Sequence, residues 1–262
     1  MGCWLGFGLA MAEARALLEV RNLHKRYGAV VATRDLNLTV RSGEFHALIG
    51  PNGAGKTTAL AQLAGELRPD SGHIHFNGRD ITRVAIQRRV HLGIARSYQI
   101  TSVFPHFTAE DNVALAIQAA QGHSFRLWRS ARRDDRLRQP ARELLSRLGL
   151  YEQRNEPAAY LAHGEQRQLE VAMALASRPW LLLLDEPTAG LGVGGTRRMA
   201  KLLEGVKAEV TVLMVEHDMD AVFALADRIS VLVYGECIAT GTPDQIRANA
   251  QVRRAYLGDQ MP

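Results

Sequence analysis

The chain has 262 residues, with 32 Lys+Arg against 27 Asp+Glu and a formal net charge of +5. At 47% hydrophobic and 23% charged residues, its composition excludes a disordered or low-complexity chain. No run approaches the ~18 uninterrupted apolar residues of a membrane span, and two cysteines, Cys3 and Cys237, are too few for a disulfide framework or a Cys-rich zinc site.

The first ten residues, MGCWLGFGLA, are apolar but lack the positive n-region of a signal peptide. Gly6 stands where a myristoylation motif needs Ser or Thr. We read residues 1–16 as an extension outside the fold, with Met11 as a second possible start. Apolar–polar alternation predicts half-buried strands over Leu18–Leu23 and Leu36–Val40. Glu44–Ile49 reads as a short strand ending in a glycine-rich turn, followed by a helix from Lys56 to about Leu67. His73–Phe76 is a further strand with Asn77-Gly78 as its turn. From Thr108 to Leu150 the pattern is helical, and a helix is predicted over Gln166–Ser177. Leu181–Leu184 is wholly apolar, as in a parallel strand buried on both faces, and Val210–Val215 and Ile229–Val233 are two more strands. Strand–helix alternation at both ends around a helical block predicts an α/β core with a helical insertion.

Gly50-Pro51-Asn52-Gly53-Ala54-Gly55-Lys56-Thr57 fits the P-loop pattern. Its glycines let successive N–H groups curl around an anion, and the helix that follows adds its positive N-terminal end. Lys56 is placed for the β- and γ-phosphates and the Thr57 hydroxyl for Mg²⁺; Thr58 continues the turn into the helix. Asp185 and Glu186 follow the apolar run Leu181–Leu184, and functional side chains of α/β sheets collect at the carboxyl ends of strands. Asp185 is expected beside the Mg²⁺, and Glu186 is placed to take a proton from an attacking water.

With these motifs in order, residues Leu17 to Gly258 resemble the ATP-binding subunits of ABC transporters. The resemblance implies a P-loop NTPase (RecA-like) α/β core with an antiparallel β subdomain and an inserted helical subdomain. It divides the chain into a first core part at 17–98, a helical part at 99–164, a second core part at 165–258 and a tail at 259–262. It makes Tyr27 an adenine-stacking aromatic, Gln99 a contact to Mg²⁺ and the attacking water, and His217 a switch residue that hydrogen-bonds the γ-phosphate. Leu161-Ala162-His163-Gly164-Glu165 occupies the place of the signature, usually LSGGQ, which caps the ATP of a second subunit. Ala162 lacks the serine hydroxyl, His163 and Glu165 replace glycine and glutamine, and Gly192 replaces the aspartate of the inter-subunit loop.

The strings GIARSYQ, LAHGEQRQLE, AGLG and AYLG are similar to the branched-chain amino-acid uptake group, whose relatives import urea and short amides. The resemblance implies ATP and Mg²⁺ as ligands, a second ATP-binding subunit (the same or a homologous chain), two membrane permease subunits and, indirectly, an extracytoplasmic solute-binding protein. It places the chain at the cytoplasmic face of a bacterial inner membrane as a peripheral subunit. Val103, Phe104, Pro105 and Phe107, with Ile100, form an apolar cluster near the expected permease groove. Two alternatives stand beside this reading. One is an exporter ATPase of the lipopolysaccharide type, which would be expected to carry LSGG. The other is a nucleic-acid-associated ATPase, suggested by the basic segment; a chain with room for one cassette speaks against it, and no nucleic-acid partner is expected.

The whole charge excess lies in one segment: seven arginines from Arg126 to Arg142 against Asp134 and Asp135. It reads either as a solvated helix face or as a surface where Arg129, Arg132, Arg133 and Arg136 meet anionic lipid or acidic permease loops.

Overall fold

A computed structural model describes residues 15–97, 103–121 and 134–257. The core is a six-stranded sheet, order β10-β9-β3-β8-β7-β6. Its strands are β3 (Phe45–Ile49), β6 (Ile94–Arg96), β7 (Leu181–Asp185), β8 (Thr211–Val215), β9 (Arg228–Val233) and β10 (Glu236–Gly241). All neighbours run parallel except β10, which returns antiparallel on β9. Every residue of β3, β7 and β8 is buried, which explains their near-continuous apolar sequences. His46 in the middle of β3 is satisfied inside: its ring nitrogens bond Glu44 Oε1 at 2.6 Å and Ser230 Oγ at 2.8 Å, and Ser230 bonds Thr240 at 2.7 Å.

A second, antiparallel sheet has the order β2-β1-β4-β5. It contains β1 (Ala16–Tyr27), β2 (Val30–Arg41), β4 (Ser71–Phe76) and the two-residue β5 (Arg79–Asp80). The pairing of β1 with β2 shifts register several times, and Asn22 and Asp35 are left-handed with φ of 49° and 43°. These irregularities break the alternation, so the sequence pattern shows only parts of two twelve-residue strands.

Helix α1 (Lys56–Ala64) leaves the P-loop and ends earlier than its apolar pattern suggests, because Gly65 takes φ 86° and donates to Ala61 and Gln62 carbonyls. Arg89, on α2 (Ile86–His91), seals that end. Its guanidinium donates to the carbonyls of Gln62 (2.8 Å), Leu63 (2.7 Å), Ile81 (2.7 Å) and Thr82 (3.3 Å) through the terminal nitrogens, and to Val84 (2.9 Å) through Nε. Burial lowers its pKa to about 10, so it remains charged at neutral pH.

The predicted helical block contains α3 (Ala109–Ala120) and α4 (Asp135–Arg147). Arg138 on α4 is buried and reaches Glu110 (3.4 Å) and Asp111 (2.6 Å) on α3, and Arg142 reaches Glu110 at 3.0 Å. Arg136 pairs with Asp134 at 2.9 Å. The second half of the basic segment therefore neutralises acids of its own lobe; Arg126, Arg129, Arg132 and Arg133 lie outside the described residues. Phe104 and Phe107 are about half exposed with ring centroids 5.5 Å apart. The buried Asn112 holds the turn that carries them, through Phe104 N–H (2.7 Å) and the Phe104 and Phe107 carbonyls. Helix α5 spans His163–Leu175, three residues earlier than the pattern predicts. The chain continues through α6 (Val193–Lys207), α7 (Met219–Leu225), α8 (Pro243–Ala248) and α9 (Ala250–Val252). Among the described residues no helix is long and apolar enough to cross a membrane.

Candidate active site

The P-loop connects the buried strand β3 to α1, so its backbone is fixed at the carboxyl end of the central sheet. Two glycines are required sterically. A Cβ on Gly50 would lie 2.0 Å from the Leu232 carbonyl oxygen, and one on Gly55 would lie 1.9 Å from that of Ala32. Gly53 (φ 77°) faces open space. Ala54 is buried and carries the loop's contact to the sheet: its carbonyl accepts from Gly235 N–H at 2.9 Å. Pro51 is half-buried, while Asn52 and Thr57 are exposed and Thr58 is half-buried.

Lys56 is buried, and its ammonium folds back on the loop to donate to the carbonyls of Gly50 (2.7 Å) and Pro51 (3.0 Å). Burial lowers its pKa below the ordinary lysine value; the nearby carboxylates of Glu186 and Asp185 offset part of that shift. The two acids predicted after β7 thus act electrostatically on the P-loop lysine. Asp185 closes β7 and is buried. Its Oδ2 accepts from Arg96 at 2.7 Å, and the same guanidinium reaches Glu66 at 2.6 Å. Its Oδ1 is buried without a hydrogen-bond partner among the described residues.

Glu186 has φ 47°, an uncommon conformation for a non-glycine residue and one that clusters at functional sites. Its N–H donates to the Val215 carbonyl at 2.9 Å. His217, two residues beyond β8, places Nδ1 3.9 Å from Glu186 Oε1. Lys56, Asp185, Glu186 and His217 therefore gather at the carboxyl ends of three adjacent strands, β3, β8 and β7. Gln99 lies outside the described residues.

Tyr27 ends β1, pairs with Val30 across the turn, and is half exposed with Lys25 Nζ 5.6 Å from its ring centroid. That turn leads within two residues to Ala32, whose carbonyl packs on Gly55, so Tyr27 sits on the strand end nearest the P-loop. Leu161-Ala162-His163-Gly164-Glu165 lies apart from this cluster in its described contacts. Ala162 is the N-cap of α5, and its N–H donates to Glu165 Oε2 at 2.8 Å. The segment is therefore itself the helix N-terminus, whose first N–H groups lack intrahelical partners. A Cβ on Gly190 would lie 3.0 Å from His163 Nε2, and one on Gly164 would lie 3.5 Å from Leu191 Cδ2, so the signature segment packs on the loop that follows Glu186. Gly192 ends that loop as the N-cap of α6.

Sequence reasoning missed Arg96 and Glu216. Arg96 stands in register with Leu183 of β7, next to Asp185, but β6 has only three residues and carries no periodic signal. Glu216 is an acid directly after the apolar strand β8, the same cue that marks Asp185 and Glu186 after β7.

The family model described as ABC transporter matches residues 33–189, and one described as branched-chain amino acid ATP-binding cassette transporter matches residues 236–261. The chain is 37% identical to the high-affinity branched-chain amino acid transport ATP-binding protein BraF of Pseudomonas aeruginosa, over 94% of this chain and 99% of that protein. It is 36% identical to the corresponding LivG of Escherichia coli, with the same coverage, and 35% identical to the lipopolysaccharide export system ATP-binding protein LptB of Acidithiobacillus ferridurans, over 93% and 98%. Among solved structures it is similar to an ATP-binding cassette of an ABC transporter in its ADP conformation (TM-score 0.82, 26% identity, 94% of this chain and 100% of that chain). It is also similar to a dimeric cassette in a post-hydrolysis state bound to ADP and Pi (TM-score 0.74, 25% identity, 86% and 98%). With a P-loop, two acids and a histidine converging on it, and whole-length relatives of this kind, the chain belongs to the ABC transporter ATP-binding family.

Proposed function

We propose that the chain is the ATP-hydrolysing subunit of an importer for branched-chain amino acids or a related small polar solute. The observation that carries the catalytic reading is the convergence of Lys56, Asp185, Glu186 and His217 on one P-loop. The solute class rests on the relatives BraF and LivG and on the match at residues 236–261.

Lys56 leaves the Gly50 and Pro51 carbonyls to take the β- and γ-phosphates, and the P-loop N–H groups bind the remaining phosphate oxygens. The Oδ1 of Asp185, buried and without a hydrogen-bond partner among the described residues, and the exposed hydroxyl of Thr57 suit an oxygen-seeking cation, so Asp185, Thr57 and Gln99 would hold Mg²⁺. When bound there, the ion would supply charge neutralisation at the phosphates. Glu186 orients the attacking water and draws its proton, and His217 contacts the γ-phosphate. Tyr27 stacks on the adenine.

A second ATP-binding subunit supplies the α5 N-terminus, Leu161 to Glu165, as the cap over the nucleotide. Closing and reopening of this pair drives two permease subunits at the cytoplasmic face of a bacterial inner membrane, fed by an extracytoplasmic solute-binding protein. A lipopolysaccharide-type exporter is the second reading, favoured by the LptB relative; Ala162 and His163 in place of the LSGG pattern speak for import.

Co-purifying the chain with its native membrane partners and reconstituting them tests the solute. Leucine, isoleucine or valine, presented with the binding protein, should stimulate ATP hydrolysis. Stimulation by lipopolysaccharide alone would assign the chain to export.

A further inference from the structure

Glu216 is fully buried between the strand end that carries His217 and the loop that follows Glu186. Its Oε1 accepts from Thr188 N–H at 2.9 Å and from the Thr188 hydroxyl. Its Oε2 accepts from His217 N–H at 2.7 Å and Asp218 N–H at 3.2 Å. One carboxylate thus collects four donors from two loops. A buried carboxylate is tolerated when its oxygens are saturated with donors in this way.

The location matters because Glu186 lies inside the bracket it forms. The Glu186 N–H is fixed on the Val215 carbonyl, one residue before Glu216, and Thr188, two residues after Glu186, is fixed on the Glu216 carboxylate. Glu186 keeps its left-handed backbone (φ 47°) between these two anchors. Such a conformation persists only where the surroundings over-determine it. The other oxygen of the same carboxylate fixes the backbone that carries His217, whose ring Nδ1 stands 3.5 Å from that oxygen and 3.9 Å from Glu186 Oε1.

We infer that Glu216 is a positioning residue for hydrolysis: it holds His217 and the Glu186–Thr188 loop as one unit, so that the base and the γ-phosphate contact keep their mutual geometry. The inference rests on the reading of His217 and Glu186 given under Proposed function.

Glu216→Gln keeps the shape but turns one acceptor into an NH₂ group, which faces backbone N–H donors on either side. In the full-length chain this variant should bind ATP with unchanged affinity while kcat falls about tenfold or more and KM stays within about twofold. Thr188→Val is the milder variant, removing only the hydroxyl bond. By hydrogen exchange it should speed exchange at the His217 and Asp218 amides as well as in its own loop, because both share one carboxylate. Single-turnover rates for His217→Ala, Glu216→Gln and the double variant complete the test. If Glu216 acts with His217, the double variant is no slower than the slower single one. Normal turnover by His217→Ala would overturn the reading of His217. Normal turnover by Glu216→Gln, a multiplicative loss in the double variant, or unchanged exchange at His217 and Asp218 in Thr188→Val would each overturn the positioning role.

Discussion

The Arg96 guanidinium holds Asp185 Oδ2 at 2.7 Å and leaves Oδ1 of the same carboxylate buried and unbonded within the described residues. The arginine also reaches Glu66 at 2.6 Å, just past the end of the P-loop helix. Strand β6 therefore fixes the acid of β7 and the helix α1 with one side chain. Both partners of the Arg96–Asp185 pair are nearly inaccessible, at 8% and 0% side-chain exposure.

Removing one partner of such a pair strands a buried charge. Arg96→Ala should lower unfolding stability by about 3–5 kcal/mol. Arg96→Lys should recover only part of this, since a single ammonium cannot fork to both Asp185 and Glu66. Urea unfolding of the nucleotide-free chain checks the order, and equal stability of Arg96→Ala and the unmodified chain would contradict it.

The P-loop glycines should differ in what they tolerate. Gly53→Ala meets only the backbone cost of a left-handed residue, about 1–2 kcal/mol. Gly50→Ala and Gly55→Ala add a Cβ placed 2.0 and 1.9 Å from a backbone oxygen, so both should unfold at clearly lower urea concentration than Gly53→Ala. Parallel urea titrations of the three variants make the comparison.

Arg89 should be irreplaceable although it lies outside the active site. It serves five backbone carbonyls around the end of α1. A buried acceptor left unsatisfied costs about 1–3 kcal/mol, so Arg89→Ala should lose at least about 3 kcal/mol. Arg89→Lys should rescue little, because the fork geometry is lost. Chemical unfolding with an enzyme assay in parallel would show activity falling with the folded fraction.

Asp80 gives a pH signature. Hydrogen bonds from the Thr82 side chain and backbone, with smaller help from His73, hold its carboxyl at about 2, below the ordinary 3.8. A depressed acid contributes stability above its unfolded pKa and loses it as the pH falls through the folded value. The stability advantage over Asp80→Asn should therefore be constant near neutral pH and vanish between about pH 4 and pH 2. An advantage that persists below pH 2 would contradict the assignment.

Much of this site is legible in the sequence because its cues are local. The P-loop spacing, the apolar run Leu181–Leu184 before Asp185-Glu186, and the strand before His217 all sit within a few residues of the chemistry. Strands β6 and β10 are not legible: one has three residues, and the other, Glu236–Gly241, is edge-on and mostly half-buried. The early start of α5 was hidden because Gly164 and the missing N-cap hydroxyl at Ala162 remove the usual helix-start signals. Arg96 is hidden because its partner Asp185 is distant in sequence and adjacent only through parallel strand register, whereas Glu216 carries the strand-end cue and only its tie to Thr188 is distant. In the arginine-rich segment Arg136, Arg138 and Arg142 pair with Asp134, Glu110 and Asp111, while Arg129, Arg132 and Arg133, named for contact with lipid or permease, lie outside the described residues.

The role proposed for Glu186 is to activate the water that attacks ATP held at Lys56. The direct test is Glu186→Gln, mixed with ATP and Mg²⁺ and followed by size and by phosphate release together. The variant should bind ATP with ordinary affinity, form a stable closed pair of subunits, and release phosphate more slowly by a factor of about 10² or more. Unmodified turnover by Glu186→Gln would contradict that role.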